Sequence, residues 1–195
     1  MAELDTTMAL TRAESGVAPL ARTGFSLRAE TDLGIGKLQV LGTEPAAVFR
    51  QVVGCDAPAS GRQIHEQGVN FAWLSPNEWL VTGDEVEIRM WIARLAQRGG
   101  DDVLAVDLSH ARTSLVLDGP GVRDVLASLC PLDLWSEVFP VGAVARSLLG
   151  DTGMFLARLA DLAEGPRFRV VVDQTMSAHA ARLLAGPQPR SGASS

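Results

Sequence analysis

Pairs of strand-like segments, each followed by a helical segment, run along this chain, and this pattern limits the possible folds more than any other feature. A one-to-one alternation of strands and helices is typical of parallel βαβ units, whereas strand pairs between helices favour antiparallel pairing. We therefore predict an α+β fold with mixed or antiparallel sheets and helices packed on one face. The predicted strands cover residues 38–41, 69–74, 78–82, 103–108, 113–117, 143–149, 154–159 and 168–172.

The clearest helix is predicted over residues 84–98. There Ile88, Trp91, Ile92 and Leu95 recur at the i, i+3, i+4 and i+7 positions of one helical face. Such a stripe marks the side of a helix that packs against a core, so we expect Trp91 to be a core residue. Three further helices are predicted, over residues 45–53, from Gly119 onward and over residues 175–184.

The 195 residues suffice for one large or two small domains. The first 22 residues show no sustained hydrophobic period, and the last ten are rich in Gly, Pro and Ser, as flexible linkers are. We therefore predict an N-terminal extension over residues 1–22, a single α+β domain over residues 23–185 and a flexible tail over residues 186–195. A strand-pair-plus-helix pattern recurs loosely at 69–98 and 103–129, so a division of the domain into two halves stays open.

Charge and hydropathy exclude two classes of partner. The chain has 17 basic and 23 acidic residues, a net charge of −6, whereas nucleic-acid binding requires a surplus of Lys and Arg. No apolar run approaches the ~18 residues that a membrane-spanning helix needs. We therefore expect no nucleic acid and no membrane partner. Glu3, Asp5 and Glu14 stand where a secretory signal would be basic and then apolar, so we expect a cytoplasmic protein.

The cysteines and histidines are too scattered to indicate a metal site or a disulfide framework. Cys55 and Cys130 lie far apart and form no C-x-x-C pair, so we expect two reduced thiols. His65 lacks a second histidine at the spacing of a zinc-binding helix, and His179 falls on the inward side of the last predicted helix. We interpret both histidines as structural.

Two glycine pairs have the spacing that begins a nucleotide-binding loop. After Gly34 and Gly36, Gln39 occupies the position of the third glycine in a dinucleotide-binding motif, so we predict a turn there. Gly119 and Gly121 flank a proline, which lacks the N–H that a phosphate would need, so we predict a helix start.

Asp107, Ser109 and His110 place the residue types of a hydrolase triad within four positions. Strand alternation, however, would turn Ser109 and His110 to opposite faces, and no G-x-S-x-G turn surrounds Ser109. We expect Asp107 and Ser109 to bond to backbone groups at the strand end instead. The sequence thus predicts no catalytic, cofactor-binding or metal-binding residue.

Residues 132–140 form a predicted loop with several large apolar side chains and no period to direct them. Such a loop either packs back on its own domain or anchors another subunit, because fully desolvated aromatic residues dominate binding energy. We predict that Leu134, Trp135 and Phe139 lie at a subunit interface.

Several motifs together resemble the gamma subunit of bacterial heterotetrameric sarcosine oxidase. Each motif is weak alone, but their combination and order are specific. The resemblance covers roughly residues 24–184. The motifs are Trp-Leu-Ser-Pro-Asn-Glu-Trp-Leu at 73–80, Val-Asp-Leu-Ser-His-Ala-Arg-Thr at 106–113, Leu-Asp-Gly-Pro-Gly-Val-Arg-Asp-Val-Leu at 117–126, Pro-Leu-Asp-Leu at 131–134 and Phe-Pro-Val-Gly at 139–142.

The resemblance implies a noncatalytic subunit of a complex that oxidises the N-methyl group of sarcosine. That complex yields glycine and hydrogen peroxide, and forms 5,10-methylenetetrahydrofolate when tetrahydrofolate is present. The resemblance further implies that FAD, FMN, NAD and tetrahydrofolate are held by the other subunits. The implied partners are the alpha subunit, which is the largest and the expected contact of the 132–140 loop, and the beta and delta subunits.

The same resemblance implies a fold similar to part of the folate-binding aminomethyltransferases. It therefore leaves an alternative function, a small stand-alone folate-dependent aminomethyltransferase. A third possibility, an adaptor for another oxidase, also stays open. No residue of this chain matches a folate ligand or a catalytic residue of those enzymes.

Overall fold

The computed structural model of the chain describes residues 20–22 and 24–186. Most of the predicted N-terminal extension and all of the predicted tail beyond Gly186 lie outside the described residues. None of the described helices is long and apolar enough to span a membrane.

The described residues form eleven strands, four α-helices and two short 3-10 turns. The helices are α1 (Pro45–Val53), α2 (Glu85–Gly99), α3 (Val122–Ala127) and α4 (Ser177–Ala185), and the 3-10 turns are Gly100–Asp102 and Gln174–Met176. The strands are β1 (Leu20–Arg22), β2 (Phe25–Glu30), β3 (Leu33–Val40), β4 (Gln63–Glu66), β5 (Val69–Ser75), β6 (Glu78–Asp84), β7 (Val103–Asp107), β8 (Arg112–Asp118), β9 (Val144–Leu149), β10 (Thr152–Leu162) and β11 (Gly165–Asp173).

The strands form two sheets, and every strand pair in them is antiparallel. Sheet I has the strand order β4-β5-β6-β3-β7, and sheet II has the order β1-β2-β8-β11-β10-β9. The predicted α+β class with antiparallel sheets is therefore confirmed. The predicted hairpin at 69–82 is also confirmed as β5 and β6, which pair directly.

Three apolar clusters stack the elements in four layers. Between sheet I and its helices α1 and α2, an aromatic cluster brings the rings of Phe49, Phe71 and Trp91 into edge contact at centroid distances of 5.5 Å. A second cluster lies between the two sheets and includes Ile35 and Phe155. A third lies between sheet II and the helices α3 and α4. Each sheet therefore carries helices on one face and the other sheet on the opposite face.

The two sheets repeat one topology. The strand orders β4-β5-β6-β3-β7 of sheet I and β9-β10-β11-β8-β2 of sheet II match position by position. The helices match too, because α1 and α3 follow the equivalent strands β3 and β8, and α2 and α4 follow β6 and β11. The N-terminal strand β2 thus completes the second unit. The loose repeat in the sequence pattern was placed wrongly at 103–129, because β7 and β8 belong to different sheets and do not pair.

The turn predicted at Gly34 and Gly36 is wrong, since both glycines lie inside β3. A Cβ on Gly34 would lie 2.8 Å from the Cα of Glu85, and one on Gly36 would lie 2.6 Å from the Cδ1 of Ile92. These glycines are needed because α2 packs closely on β3, a reason that the local sequence does not display. They are a packing feature of the sheet.

The helix predicted from Gly119 begins later and is shorter than expected. The segment from Gly119 to Gly121 is a turn, and α3 follows from Val122. The predicted helices at 45–53 and 84–98 are confirmed by α1 and α2, and Asp84 caps α2 by accepting hydrogen bonds from two backbone N–H groups. The strands β2 and β4 were not predicted, because neither has a run of alternating apolar residues long enough to stand out.

Candidate functional site

The loop between α3 and β9 is fixed by its own hydrogen bonds. Arg123 donates from Nε to the carbonyl oxygen of Leu134 at 2.9 Å. The N–H of Trp135 donates to the Asp133 carboxylate at 3.1 Å, and the N–H of Phe139 donates to the Trp135 carbonyl oxygen at 2.7 Å. The backbone that carries Trp135 is therefore held in place from both sides.

The three predicted interface residues of this loop do not share one environment. Leu134 and Phe139 are buried in the core of sheet II, where the Phe139 ring stacks on Phe168 at a centroid distance of 6.3 Å. Their prediction as interface residues is therefore wrong, because both side chains turn inward to fill the core of their own domain, whereas residues 135–138 between them are exposed. Trp135 alone of the three points outward, with 68% of its surface exposed.

Two further apolar residues of the loop region are exposed. Val138 and Val141 have 60% and 54% of their surface accessible and follow Trp135 closely in the chain. We call Trp135, Val138 and Val141 the Trp135 patch. An exposed tryptophan with apolar neighbours on a rigid loop is typical of a protein contact surface.

A second feature is a cleft of about 800 Å³ between the two sheets. Its buried lining comes from both sheets, with Leu80 from sheet I and Phe155 and Val171 from sheet II. Leu148, half exposed, stands at its edge. The cleft therefore has an apolar interior, and its charged side chains are gathered at the two ends.

At one end of the cleft, a single carboxylate is shared by two cations. Lys37 Nζ lies 3.2 Å from Glu78 Oε1, and Arg146 Nη1 lies 3.8 Å from Glu78 Oε2. Ser75 also donates its hydroxyl to Glu78 at 3.3 Å. Strand alternation explains the placement, because Lys37 lies on the same face of β3 as Ile35. This end carries one excess positive charge.

At the other end, each carboxylate pairs with one basic side chain. Arg112 Nη1 lies 2.6 Å from Asp173 Oδ2, and His179 Nε2 lies 3.0 Å from Asp151 Oδ1. The hydrogen bond from His179 lowers the pKa of Asp151 below its usual range. His179 thus joins α4 to the turn between β9 and β10 and acts as a structural residue.

A buried ion pair connects three strands of sheet II next to this end. Arg169 of β11 makes a two-pronged contact with Glu30 of β2, at 2.7 and 3.0 Å, and Ser114 of β8 donates to the same carboxylate at 2.6 Å. Burial raises the pKa of Glu30, but the hydrogen bonds and charge of Arg169 outweigh that effect and the pKa is lowered. Glu30 is therefore a structural anion held in the sheet.

The residues that looked like a hydrolase triad serve the backbone, as predicted. The Ser109 N–H donates to the Asp107 carboxylate at 2.8 Å, and the Ile35 N–H donates to the Ser109 hydroxyl at 3.0 Å. Ser109 is buried while His110 is exposed. Together these bonds fix the turn that links sheet I to β8.

Both cysteines are free thiols, and burial raises the pKa of each. Cys130 is buried and Cys55 is partly exposed. Across residues 20–22 and 24–186, no group of three or more His, Cys, Asp or Glu side chains could hold a metal ion.

The sequence did not reveal the cleft. Lys37, Glu78 and Arg146 come from three strands in two sheets, and only the tertiary packing brings them together. One signal was available, since Lys37 is the only lysine and sits among the apolar and glycine residues of 33–40. Recognition of that stretch as a strand would have placed Lys37 on an inner sheet face.

The profile of the sarcosine oxidase gamma subunit family matches residues 42–173, which is more than half of the chain. The chain belongs to this family. The gamma subunit of an Arthrobacter sarcosine oxidase is 27% identical over 129 residues, covering 65% of this chain and 63% of that protein. The gamma subunit from Corynebacterium strain U-96 is 28% identical over 131 residues, covering 65% and 62%. The matched region thus spans a little less than two thirds of these gamma subunits.

Solved structures show the same fold. The heterotetrameric sarcosine oxidase from Corynebacterium U-96, solved with pyrrole 2-carboxylate, contains a chain that superposes with a TM-score of 0.73 at 24% identity, covering 90% of this chain and 89% of that one. Aminomethyltransferase T of the glycine cleavage system from Bartonella henselae superposes with a TM-score of 0.64 at 14% identity, covering 92% of this chain but only 48% of the enzyme. The predicted likeness to part of the aminomethyltransferase fold is confirmed.

Proposed function

We propose that this chain is the noncatalytic gamma subunit of a heterotetrameric sarcosine oxidase. The complex would oxidatively demethylate sarcosine to glycine, release hydrogen peroxide and form 5,10-methylenetetrahydrofolate. The observation that carries this proposal is the family membership over residues 42–173. The near-full coverage of a chain in the Corynebacterium complex supports it. The cytoplasmic location stays a prediction from the sequence.

A noncatalytic role is supported by how the polar residues of the described region are used. The carboxylates that line the cleft, Glu78, Asp151 and Asp173, each contact a basic side chain of the same chain. Ser109, the one nucleophile considered from the sequence, is bonded to the backbone of β3. The cleft carboxylates therefore have partners within the chain, which supports a structural role for them.

The residues of the cleft do not fit a flavin or a folate. Binding sites for the ring systems of flavins and folates are mostly enclosed and apolar, and a few polar groups converge to form hydrogen bonds with the edge of the ring. Here the charged groups stand at the two ends, and each carboxylate already contacts a basic side chain, with Lys37 and Arg146 sharing Glu78. We therefore assign FAD, FMN, NAD and tetrahydrofolate to the other subunits of the complex, in line with the family resemblance.

The surface that supports a partner contact is the Trp135 patch. Its loop is rigid, its tryptophan is exposed, and the two inward residues of the loop leave Trp135 as the single large anchor. Rigid aromatic anchors lose little conformational entropy on binding. We assign this patch to the contact with the alpha subunit, the largest chain, with the beta and delta subunits in the same complex.

A stand-alone folate-dependent aminomethyltransferase is the competing function, and the shared fold favours it. The chain, however, covers only 48% of the Bartonella enzyme. Purification of the full-length chain alone separates the two proposals. We expect no flavin bands in its visible spectrum and no saturable heat of binding when tetrahydrofolate is titrated in. Saturable tetrahydrofolate binding would favour the aminomethyltransferase, and bound flavin would contradict the assignment of cofactors to the other subunits.

A further inference from the structure

The two sheets have four edge strands, and their surroundings differ. The edges β4 and β9 meet each other, because Arg62 and Ala143 form an antiparallel bridge beside them. In sheet II, the strand that corresponds to β7 is β2, and β2 is covered by a further strand, β1. In sheet I, β7 has no such neighbour among the described residues. Within residues 20–22 and 24–186, the repeat therefore leaves one strand position unfilled, beside β7.

The backbone of β7 is oriented to accept a strand at this position. The N–H of Leu41 donates to the carbonyl oxygen of Asp102, and the N–H of Leu108 donates to that of Ile35, both at 2.8 Å. Residues directly opposite each other in an antiparallel pair alternate between hydrogen-bonded and non-hydrogen-bonded positions. The two bonds therefore show that the even-numbered residues of β7 form its backbone hydrogen bonds to β3. The N–H and C=O of Ala105 consequently point away from β3, and no backbone partner is found for them in the described part of the chain.

The side chains of β7 do not protect this edge. Exposed edge strands usually carry Lys, Pro or a bulge that prevents pairing with another chain. The sequence Val-Leu-Ala-Val-Asp of β7 has neither Lys nor Pro, and its register with β3 is regular. Leu104, on the face opposite α2, is 44% exposed, and Leu41 beside it is 59% exposed. In the described part of the chain, the edge therefore offers the unpaired N–H and C=O of Ala105 and the exposed apolar side chains of Leu104 and Leu41.

Acidic residues stand at both ends of the strand. Asp101 and Asp102 precede β7 and Asp107 ends it, and all three are exposed. A strand that pairs here would be stabilised by basic residues at its ends. Two copies of β7 paired about Ala105 would instead bring Asp107 of each copy beside Val103 and Asp102 of the other. Like charges so placed are destabilising, which disfavours a second copy of this chain.

The N-terminal residues of the chain are also a poor match in charge. Residues 1–19 contain Glu3, Asp5 and Glu14 and a single basic residue, Arg12. This excess of carboxylates does not complement the aspartates at the ends of β7. The charge pattern thus favours a segment from a different chain.

We propose that β7 is extended by an antiparallel strand from another subunit of the complex, an extended apolar segment flanked by Lys or Arg. Main-chain hydrogen bonds to Ala105 would supply the register, and Leu104 and Leu41 would contact alternate side chains of the added strand. This inference rests on the proposed function, because the added strand belongs to a sarcosine oxidase subunit. It adds a second contact surface to the Trp135 patch.

Hydrogen exchange of the full-length chain, alone and in the complex co-expressed with the other subunits, tests the inference. We expect the amides of Ala105 and Asp107 to exchange at least about tenfold more slowly in the complex than in the free chain. The amide of Val106, which bonds to β3, serves as the internal control and should be protected in both states. Unchanged exchange at Ala105 and Asp107 in an assembled complex would overturn this inference and leave the proposed function intact. If the unaltered chain does not assemble with those subunits, both fail.

Protection that is already present in the free chain would also overturn the inference. Protection that increases with protein concentration would mean that a second copy of the chain covers β7. Protection that is independent of concentration would mean that another part of the same chain covers it.

A matched pair of variants gives a second readout. Ala105→Pro removes the outward N–H but no bond to β3, because proline is tolerated on an edge strand where its nitrogen faces outward. Ala105→Ser keeps the N–H. We expect Ala105→Pro to weaken assembly about tenfold and Ala105→Ser to leave it unchanged. If the Ala105→Pro variant folds and assembles with unaltered affinity, the inference is overturned. If that variant does not fold, the hydrogen-exchange measurement on the unaltered chain decides.

Discussion

Arg62 and Ala143 face each other at the point where the two sheets meet, and they occupy equivalent positions in the two repeated units. The N–H of Gln63 donates to the Gly142 carbonyl oxygen at 3.1 Å, and the N–H of Val144 donates to the Gly61 carbonyl oxygen at 2.9 Å. The two hydrogen bonds are related by a local twofold axis. The repeat therefore extends to individual hydrogen bonds and ties the two sheets into one body.

Replacement of Trp135 by Ala should weaken assembly and leave the chain folded. The side chain is largely exposed, so its loss removes little from the core, whereas truncation of an aromatic anchor at an interface costs about 2 kcal/mol. This corresponds to a ~30-fold weaker dissociation constant for the complex. The measurement is the affinity of the purified variant for the other subunits, with its thermal transition recorded alongside.

Phe139→Ala is the matched control in the same loop. Because Phe139 is buried against Phe168, we expect a loss of about 3–5 kcal/mol in the free energy of unfolding. If Trp135→Ala lowers the stability of the free chain to a similar extent and assembles normally when folded, the assignment of Trp135 to an interface is wrong.

Gly34→Ala should destabilise the chain, because its new Cβ would lie 2.8 Å from the Cα of Glu85 in α2. The helix backbone would have to shift, and such overpacking costs about 1–3 kcal/mol. Urea unfolding of the free chain measures the loss. Gly153→Ala is the control, since a Cβ on Gly153 meets no atom within 4 Å. Equal midpoints for the two variants would contradict close packing of α2 on β3.

Glu30 should give the chain a pH-dependent stability at acidic pH. Its pKa is lowered in the folded state, so the unfolded chain takes up this proton at a higher pH than the folded chain does. The stabilisation is therefore complete above the carboxyl pKa of the unfolded chain, ~4.3, and is lost as the pH falls through the lower folded pKa.

Glu30→Gln tests this assignment. At neutral pH we expect a loss of about 2 kcal/mol in the free energy of unfolding, the scale of a hydrogen bond to a charged group. The difference between the variant and the unaltered chain should shrink as the pH falls below about 4. Glu164→Gln, at an exposed turn position, should change neither quantity. A difference that persists unchanged at low pH would mean that the charge of Glu30 does not stabilise the sheet.

The sequence was sufficient for elements whose pattern is local. The stripe of Ile88, Trp91 and Leu95 predicted α2, and the turn residues between the strands at 69–82 predicted the β5–β6 hairpin. The alternation of strand pairs with helices predicted the antiparallel class of the sheets. These features depend on side-chain periodicity and turn preference, which are read directly from neighbouring residues.

Features set by contacts distant in sequence could not be predicted. Gly34 and Gly36 looked like a turn because the helix that requires them lies about fifty residues later. The apolar residues of the 132–140 loop could be read from the sequence, but the direction of their side chains could not. Only the packing of Phe139 on Phe168 shows that Phe139 turns inward. The ion pair of Glu30 and Arg169 joins strands at opposite ends of the sequence.

Co-expression of the full-length chain with the alpha, beta and delta subunits, followed by native mass spectrometry, tests the proposed function most directly. We expect a particle that contains this chain together with the alpha, beta and delta subunits. The same particle should release hydrogen peroxide when sarcosine is added. A sarcosine oxidase that assembles fully and is active without this chain, while the chain itself remains separate, would contradict the assignment as its gamma subunit.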